Sequence, residues 1–141
     1  MATRMANPHP AEVFDALRTK GPGTRIAVVG ASSHPEKYGN IILRNLQAKG
    51  YTVLPVNPRE TEIEGLPVYR SLREVPGPVH VVSVVTPPPA TLKVLEDAAA
   101  LGLPHVFLQD GSYDQPVLDY AATAPFKTAY DACIMVVTAA M

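Results

Sequence analysis

The sequence predicts an α/β fold: a doubly wound, five-stranded parallel sheet with helices on both faces. Three observations carry this expectation. Short β-branched runs that are apolar on both alternations stand at 25–30, 51–56 and 79–85, as in strands buried on both faces. Segments with apolar residues at helical spacing alternate with them. Glycine or proline closes nearly every segment. Parallel strands require crossovers, which are right-handed almost without exception. The expected strand order is 3-2-1-4-5.

Residues 1–7 read as a flexible tail. Residues 8–20 read as a helix, with Asn7 as N-cap, Pro8 in the first helical position, and Val13, Phe14 and Leu17 on one face. Gly21-Pro22-Gly23 stops it. The strand at 25–30 follows. A helix over 40–49 turns Ile41, Ile42 and Leu46 inward, and Gly50 ends it. The strand at 51–56 carries Pro55 near its end, where pairing tolerates proline. Residues 57–78 read as irregular, with a turn at Glu64-Gly65. One helical turn stands at 71–74, with Ser71 capping and Glu74 in the capping-box position. The run 79–85 is the strongest strand pattern, ended by Pro87-Pro88-Pro89. A helix at 90–101, closed by Gly102, a strand at 105–109, a helix at 114–124 and a strand at 127–131 complete the alternation. The apolar stretch 133–141 carries no deciding pattern.

A chain of 141 residues suits one domain, 1–141, and leaves no room for a separate catalytic half. Twelve Lys and Arg against thirteen Asp and Glu give a net charge of −1, which argues against binding nucleic acid through bulk electrostatics. An apolar fraction of 47% excludes intrinsic disorder. Cys133 is the single cysteine; it forms no internal disulfide and fits a reducing, cytoplasmic setting. No run approaches the roughly 20 apolar residues of a membrane helix. The first ten residues lack the apolar core of a secretory signal. The apolar C-terminal stretch leaves room for a homodimer or a protein partner.

In an open parallel sheet, ligands bind beyond the carboxyl ends of the strands where the order reverses. In the expected order, that point lies between the first and fourth strands, beside the loop after the first. That loop runs Gly30-Ala31-Ser32-Ser33-His34-Pro35-Glu36-Lys37-Tyr38-Gly39. It lacks the G-x-G-x-x-G fingerprint, since Ser32 and Pro35 stand at the second and third glycine positions. Its backbone N–H groups, the Ser32 and Ser33 hydroxyls and Lys37 still suit a phosphate. The second strand ends in Asn57-Pro58-Arg59, with no carboxylate before Glu60. Dinucleotide sites that hold a free ribose place Asp or Glu there. Arg59 instead suits a phosphorylated ribose, gripped through two parallel bonds. CoA, with its 3′-phosphate, and NADP, with its 2′-phosphate, both qualify. Thr86-Pro87-Pro88 forms a rigid apolar ledge for a flat base, and Gln109-Asp110-Gly111-Ser112 stands where amides of a longer arm would pass. Each feature alone is also what an ordinary turn looks like.

Catalytic patterns are sparse. His9, His34, His80 and His105 are scattered, and no spacing matches a metal site. A lone cysteine is more often inert than reactive, so no residue is assigned catalysis.

The runs 26–40, 50–58 and 85–88, read together, resemble the small stand-alone CoA-binding proteins. They are similar to the N-terminal CoA-binding domain of the succinyl-CoA synthetase alpha subunit. The resemblance covers about residues 8–137 and implies a Rossmann-like domain holding coenzyme A. By position, Gly30, Ala31, Ser32 and Ser33 would line the phosphate loop, with Lys37 and Tyr38 close by. Val56, Asn57, Pro58 and Arg59 would surround the ribose phosphate. Thr86, Pro87 and Pro88 would flank the adenine, and Gln109 and Gly111 the pantetheine arm. Phe107 stands where many relatives carry Trp, and Ala132 where Arg is frequent. The ligase reaction needs a phosphorylated histidine on a separate domain, so the resemblance supports binding of CoA or acyl-CoA rather than ligation. Two other readings share part of the pattern: an NADP-binding oxidoreductase-type domain, and a protein-interaction domain that has lost its ligand.

Overall fold

The computed structural model describes residues 7–141; the expected tail, except Asn7, lies outside the described residues. The chain runs α1 (Ala11–Leu17), β1 (Arg25–Val29), α2 (Tyr38–Ala48), β2 (Thr52–Val56), a hairpin of β3 (Glu62–Ile63) and β4 (Leu66–Pro67), and a 3-10 turn at Leu72–Glu74. It continues through β5 (Val81–Val84), α3 (Pro88–Ala100), β6 (His105–Leu108), α4 (Gln115–Thr123), β7 (Lys127–Ala129) and α5 (Ile134–Ala139). The main sheet is parallel, in the order β2-β1-β5-β6-β7.

The α/β class, the five parallel strands and helices on both faces are as expected. The place of the run 79–85 is not. Expected beyond β2, it pairs with β1 as β5, from Ile26 opposite Val81 to Val29 opposite Val84. All four residues of β5 are buried, and a strand apolar on both faces belongs inside a covered sheet. The place beyond β2 is taken by Tyr69, in a single parallel bridge to Val56. Tyr69 N donates to Pro55 O (3.0 Å), and Asn57 N donates to Tyr69 O (2.9 Å). With that bridge counted as the third strand, the 3-2-1-4-5 pattern is recovered and β7 lies beyond it. The order therefore reverses between β1 and β5.

Alternate strand residues feed two apolar layers. Ile26, Val28, Val81, Phe107 and Ala129 pack with Val13, Leu17, Ile42, Leu43, Leu46 and Ile134 of α1, α2 and α5. Ala27, Val29, Val82, Val84, Val106 and Leu108 pack with Leu95, Ala98, Val117 and Ala121 of α3 and α4.

Element ends depart from expectation where side chains find other partners. Asn7 does not cap α1. Its Oδ1 accepts from His9 N (2.9 Å), Pro10 takes the N-cap, and Pro8 O accepts from Tyr130 N (3.0 Å). Ser71 makes no side-chain cap bond, so the expected capping box does not form. Asp114 does cap α4, accepting from Val117 N (3.1 Å). α3 takes its prolines into the first turn, where a missing N–H costs nothing. The undecided C-terminal stretch folds as α5.

Tyr51 ties the start of β2 to the end of α1. It is 3% exposed, and its hydroxyl donates to Leu17 O. Burial raises its pKa above the ordinary 10.0. The unfolded chain loses the phenolic proton first, so this contribution is complete below about pH 10 and disappears as pH rises through the higher folded value. Lys49, lowered by burial and then by Lys20, acts with the opposite sign in the same range. The comparison that isolates Tyr51 is therefore wild type against Tyr51→Phe. Urea denaturation from about pH 9 to 11 should show a steeper alkaline loss in wild type than in the variant.

Candidate functional site

A cleft of about 790 Å³ opens at the carboxyl edge of the sheet, between the loop after β1 and the loop after β5. This is the point where the strand order reverses. Of the expected residues, Gly30, Ser32, Lys37, Tyr38, Asn57, Pro58, Arg59, Thr86 and Pro87 line it, together with Glu36, Gly39, Val85 and Ala90. A second hollow of about 220 Å³ shares Gly30, Pro58, Thr86 and Ala90 with the cleft. Val29, Val56, Leu72 and Val94 give it apolar walls, and Arg70, Lys93 and Asp97 stand among its other lining residues. Asp97 is 5% exposed and paired with Arg73 (3.0 Å) and Lys93 (3.2 Å).

The remaining expected residues sit elsewhere. Ala31 is buried and Ser33 is exposed, and neither lines the cleft. Pro88 lies in the first turn of α3. Gln109 and Gly111 line neither hollow. The expected order set the loop after the 105–109 strand directly beside Gly30; in the structure β5 stands between β1 and β6. Gln109 is nonetheless buried at 6% exposure, and its Oε1 has no hydrogen-bond partner among the described residues.

Two glycines set the shape of the cleft. Gly30 has φ +95°, and a Cβ there would lie 2.9 Å from Val85 Cγ2 and 3.1 Å from Thr86 N. Gly39, in the first turn of α2, lets the helix sit directly on the loop: a Cβ would come within 2.0 Å of Gly30 O. The start of α2 is thereby brought to the cleft; Asn40 N is taken by Lys37 O (3.0 Å), which leaves the Tyr38 and Gly39 amides as those of the first turn without a helical partner.

Side chains from neighbouring segments hold the loop. Asn57, expected to meet a ligand, uses both ends of its carboxamide within the protein. Its Nδ2 donates to Ala31 O (2.8 Å) and its Oδ1 accepts from Arg59 N (2.8 Å). Ser32 Oγ accepts from His34 N (3.1 Å), and Ser33 N donates to Glu60 Oε2 (3.0 Å). Asn40, which the sequence reading overlooked, is fully buried and donates from Nδ2 to Ser32 O (2.8 Å). The available signal was a polar residue beside the apolar stripe of α2, because a buried carboxamide needs partners.

Lys37 and Arg59 are exposed at the cleft, and neither forms a salt bridge among the described residues. Two unpaired cations beside backbone amides favour an anion. Among the described residues there is no group of three side chains suited to a metal ion, and no helix is long and apolar enough to cross a membrane. Cys133 is half-buried and free, at the start of α5.

A protein-family model described as a CoA binding domain matches residues 24–139. The chain belongs to this CoA-binding family. An uncharacterized protein of Bacillus subtilis is 30% identical over 132 residues, covering 94% of this chain and 96% of its own. The alpha subunit of an ADP-forming acetate–CoA ligase II from Pyrococcus furiosus is 37% identical over 84 residues, 59% of this chain. The match spans only 18% of that subunit, so this chain corresponds to a small part of it. Among solved structures, a hypothetical protein from Pyrococcus horikoshii superposes with a TM-score of 0.84 at 29% identity, covering 99% of this chain and 97% of its own. A conserved hypothetical protein from Pyrococcus furiosus is 44% identical, with a TM-score of 0.77 over 80% of this chain and 97% of its own. Relatives of similar length thus share this fold, and part of a ligase subunit shares its sequence.

Proposed function

We propose that the chain binds coenzyme A or an acyl-CoA as a small module, without ligase activity of its own. The observation that carries this reading is the cleft at the reversal of strand order, where Lys37 and Arg59 stand beside the amides of the β1–α2 loop with no salt bridge among the described residues. The diphosphate would lie on that loop and on the start of α2. The 3′-phosphate would meet Arg59, because the end of β2 offers a guanidinium where a free ribose needs a carboxylate. The apolar hollow between Val29, Val56 and Val94 suits the adenine. The pantetheine arm would leave past Thr86 and Pro87. Gln109, whose buried Oε1 has no partner among the described residues, would accept from one of the arm's amide N–H groups once its side chain turns outward.

Calorimetric titration with CoA, dephospho-CoA and NADP tests the proposal. A charge-assisted phosphate contact is worth about 1.5–3 kcal/mol, so CoA should bind roughly 10–100-fold more tightly than dephospho-CoA. Arg59→Ala should remove that preference and leave dephospho-CoA binding unchanged. Equal affinity for the two ligands in wild type would take the phosphate role from Arg59. NADP binding more tightly than CoA would favour the oxidoreductase-type reading.

A further inference from the structure

Asn40 does more than fill space. It is fully buried, and both ends of its carboxamide are committed: Nδ2 donates to Ser32 O (2.8 Å) and Oδ1 accepts from Arg44 Nε (2.6 Å). A guanidinium only donates, so Arg44 determines which end of the carboxamide is oxygen and turns the nitrogen toward the loop. Arg44 is anchored in turn, through its second terminal nitrogen, to Pro35 O (3.1 Å). From the other side, Asn57 Nδ2 holds Ala31 O.

In a trans peptide, C=O and N–H point in opposite directions across one plane. Capture of Ala31 O by Asn57 therefore turns the Ser32 N–H away from Asn57. Capture of Ser32 O by Asn40 turns the Ser33 N–H away from α2. That second amide meets an anionic oxygen, Glu60 Oε2, at 3.0 Å. The same clamp keeps two carbonyl oxygens, which would repel a phosphate, occupied by donors.

We infer that Asn40 is a positioning residue for the phosphates of the ligand: held by Arg44, it keeps Ser32 O occupied and turned toward α2, so that the loop offers the Ser32 N–H, and no bare carbonyl, to an anion. The inference rests on the proposed CoA site and adds a residue that does not line the cleft.

Three variants test it: Asn40→Asp, which keeps the shape but loses the donor, and the surface changes Arg44→Met and Arg44→Lys. Asn40→Asp should weaken CoA and dephospho-CoA alike, by about tenfold, leaving their ratio intact. Arg44→Met should weaken both by a smaller factor, and Arg44→Lys, still a donor, should restore them. Inorganic pyrophosphate serves as a probe independent of CoA. It should shift the Ser32 and Ser33 amide resonances of the wild-type chain, and Asn40→Asp should abolish that response. If pyrophosphate gives this Asn40-dependent shift while CoA fails to bind, the inference stands and the CoA reading falls. Unchanged affinity in Asn40→Asp and Arg44→Met, or a pyrophosphate response that survives Asn40→Asp, would overturn the inference.

Discussion

Gly39→Ala is expected to destabilise the chain and to disable the cleft in one step. The added methyl would lie 2.0 Å from Gly30 O, 3.0 Å from Gly30 C and 3.1 Å from Ala31 Cα. All three atoms are backbone, so no side chain can rotate away. Either α2 lifts from the loop or the loop pulls away from the end of β2, where Gly30 N is bonded to Val56 O (3.0 Å). Overpacking of this kind costs about 1–3 kcal/mol, and rigid backbone on both sides places it at the upper end. Any relief moves Gly30, the Ser32 amide and the start of α2 together, so affinity for CoA should fall by more than about tenfold. Urea denaturation and calorimetric titration of the same variant would read both losses. An alanine that left stability and affinity intact would mean the loop and helix are not in contact as described.

Phe107→Ala should separate the two effects. Phe107 is fully buried in β6, in the layer shared with α1. Its ring stacks on Phe14 at 6.2 Å with an interplanar angle of 13°, and Phe14 lies 5.7 Å from the His9 ring. Removing a buried phenyl costs about 3–5 kcal/mol, through lost burial and the cavity that remains. Phe107 lines neither hollow. The folded fraction should therefore bind CoA with wild-type affinity while the unfolding midpoint drops sharply. A loss of affinity measured well below the midpoint would place Phe107 closer to the ligand than its packing indicates.

Most of the architecture was legible because period-two and helical apolar patterns report burial directly. The runs that became β1, β2 and β5 were recognisable as strands, and Gly50 as a helix stop with φ +102°. Neighbour relations were not legible. A strand's own residues do not name its partners, and the order of β5 was misplaced although its apolar character on both faces pointed to the interior. Gln109 and Gly111 moved away from Gly30 with it. Helix starts were less legible: Asn7 is a good cap in isolation but accepts from His9 N instead, and Ser71 holds the N-cap position of its turn without a side-chain bond. α2 begins two positions ahead of the expected start, at Tyr38, which places Asn40 inside the first turn and hides its role from a reading that set the helix start there. Asn57 lines the cleft as its position suggests, and its contacts also make it a clip between the loop and the end of β2, which position alone does not reveal.

CoA is proposed to bind in the cleft between the β1–α2 loop and the β5–α3 loop. Backbone amide NMR of the chain during titration with CoA tests it most directly. The account predicts saturable shifts centred on Ser32, Lys37, Tyr38, Gly39, Arg59 and Thr86. Saturable shifts confined to the opposite sheet edge, around His80 and His105, would contradict it.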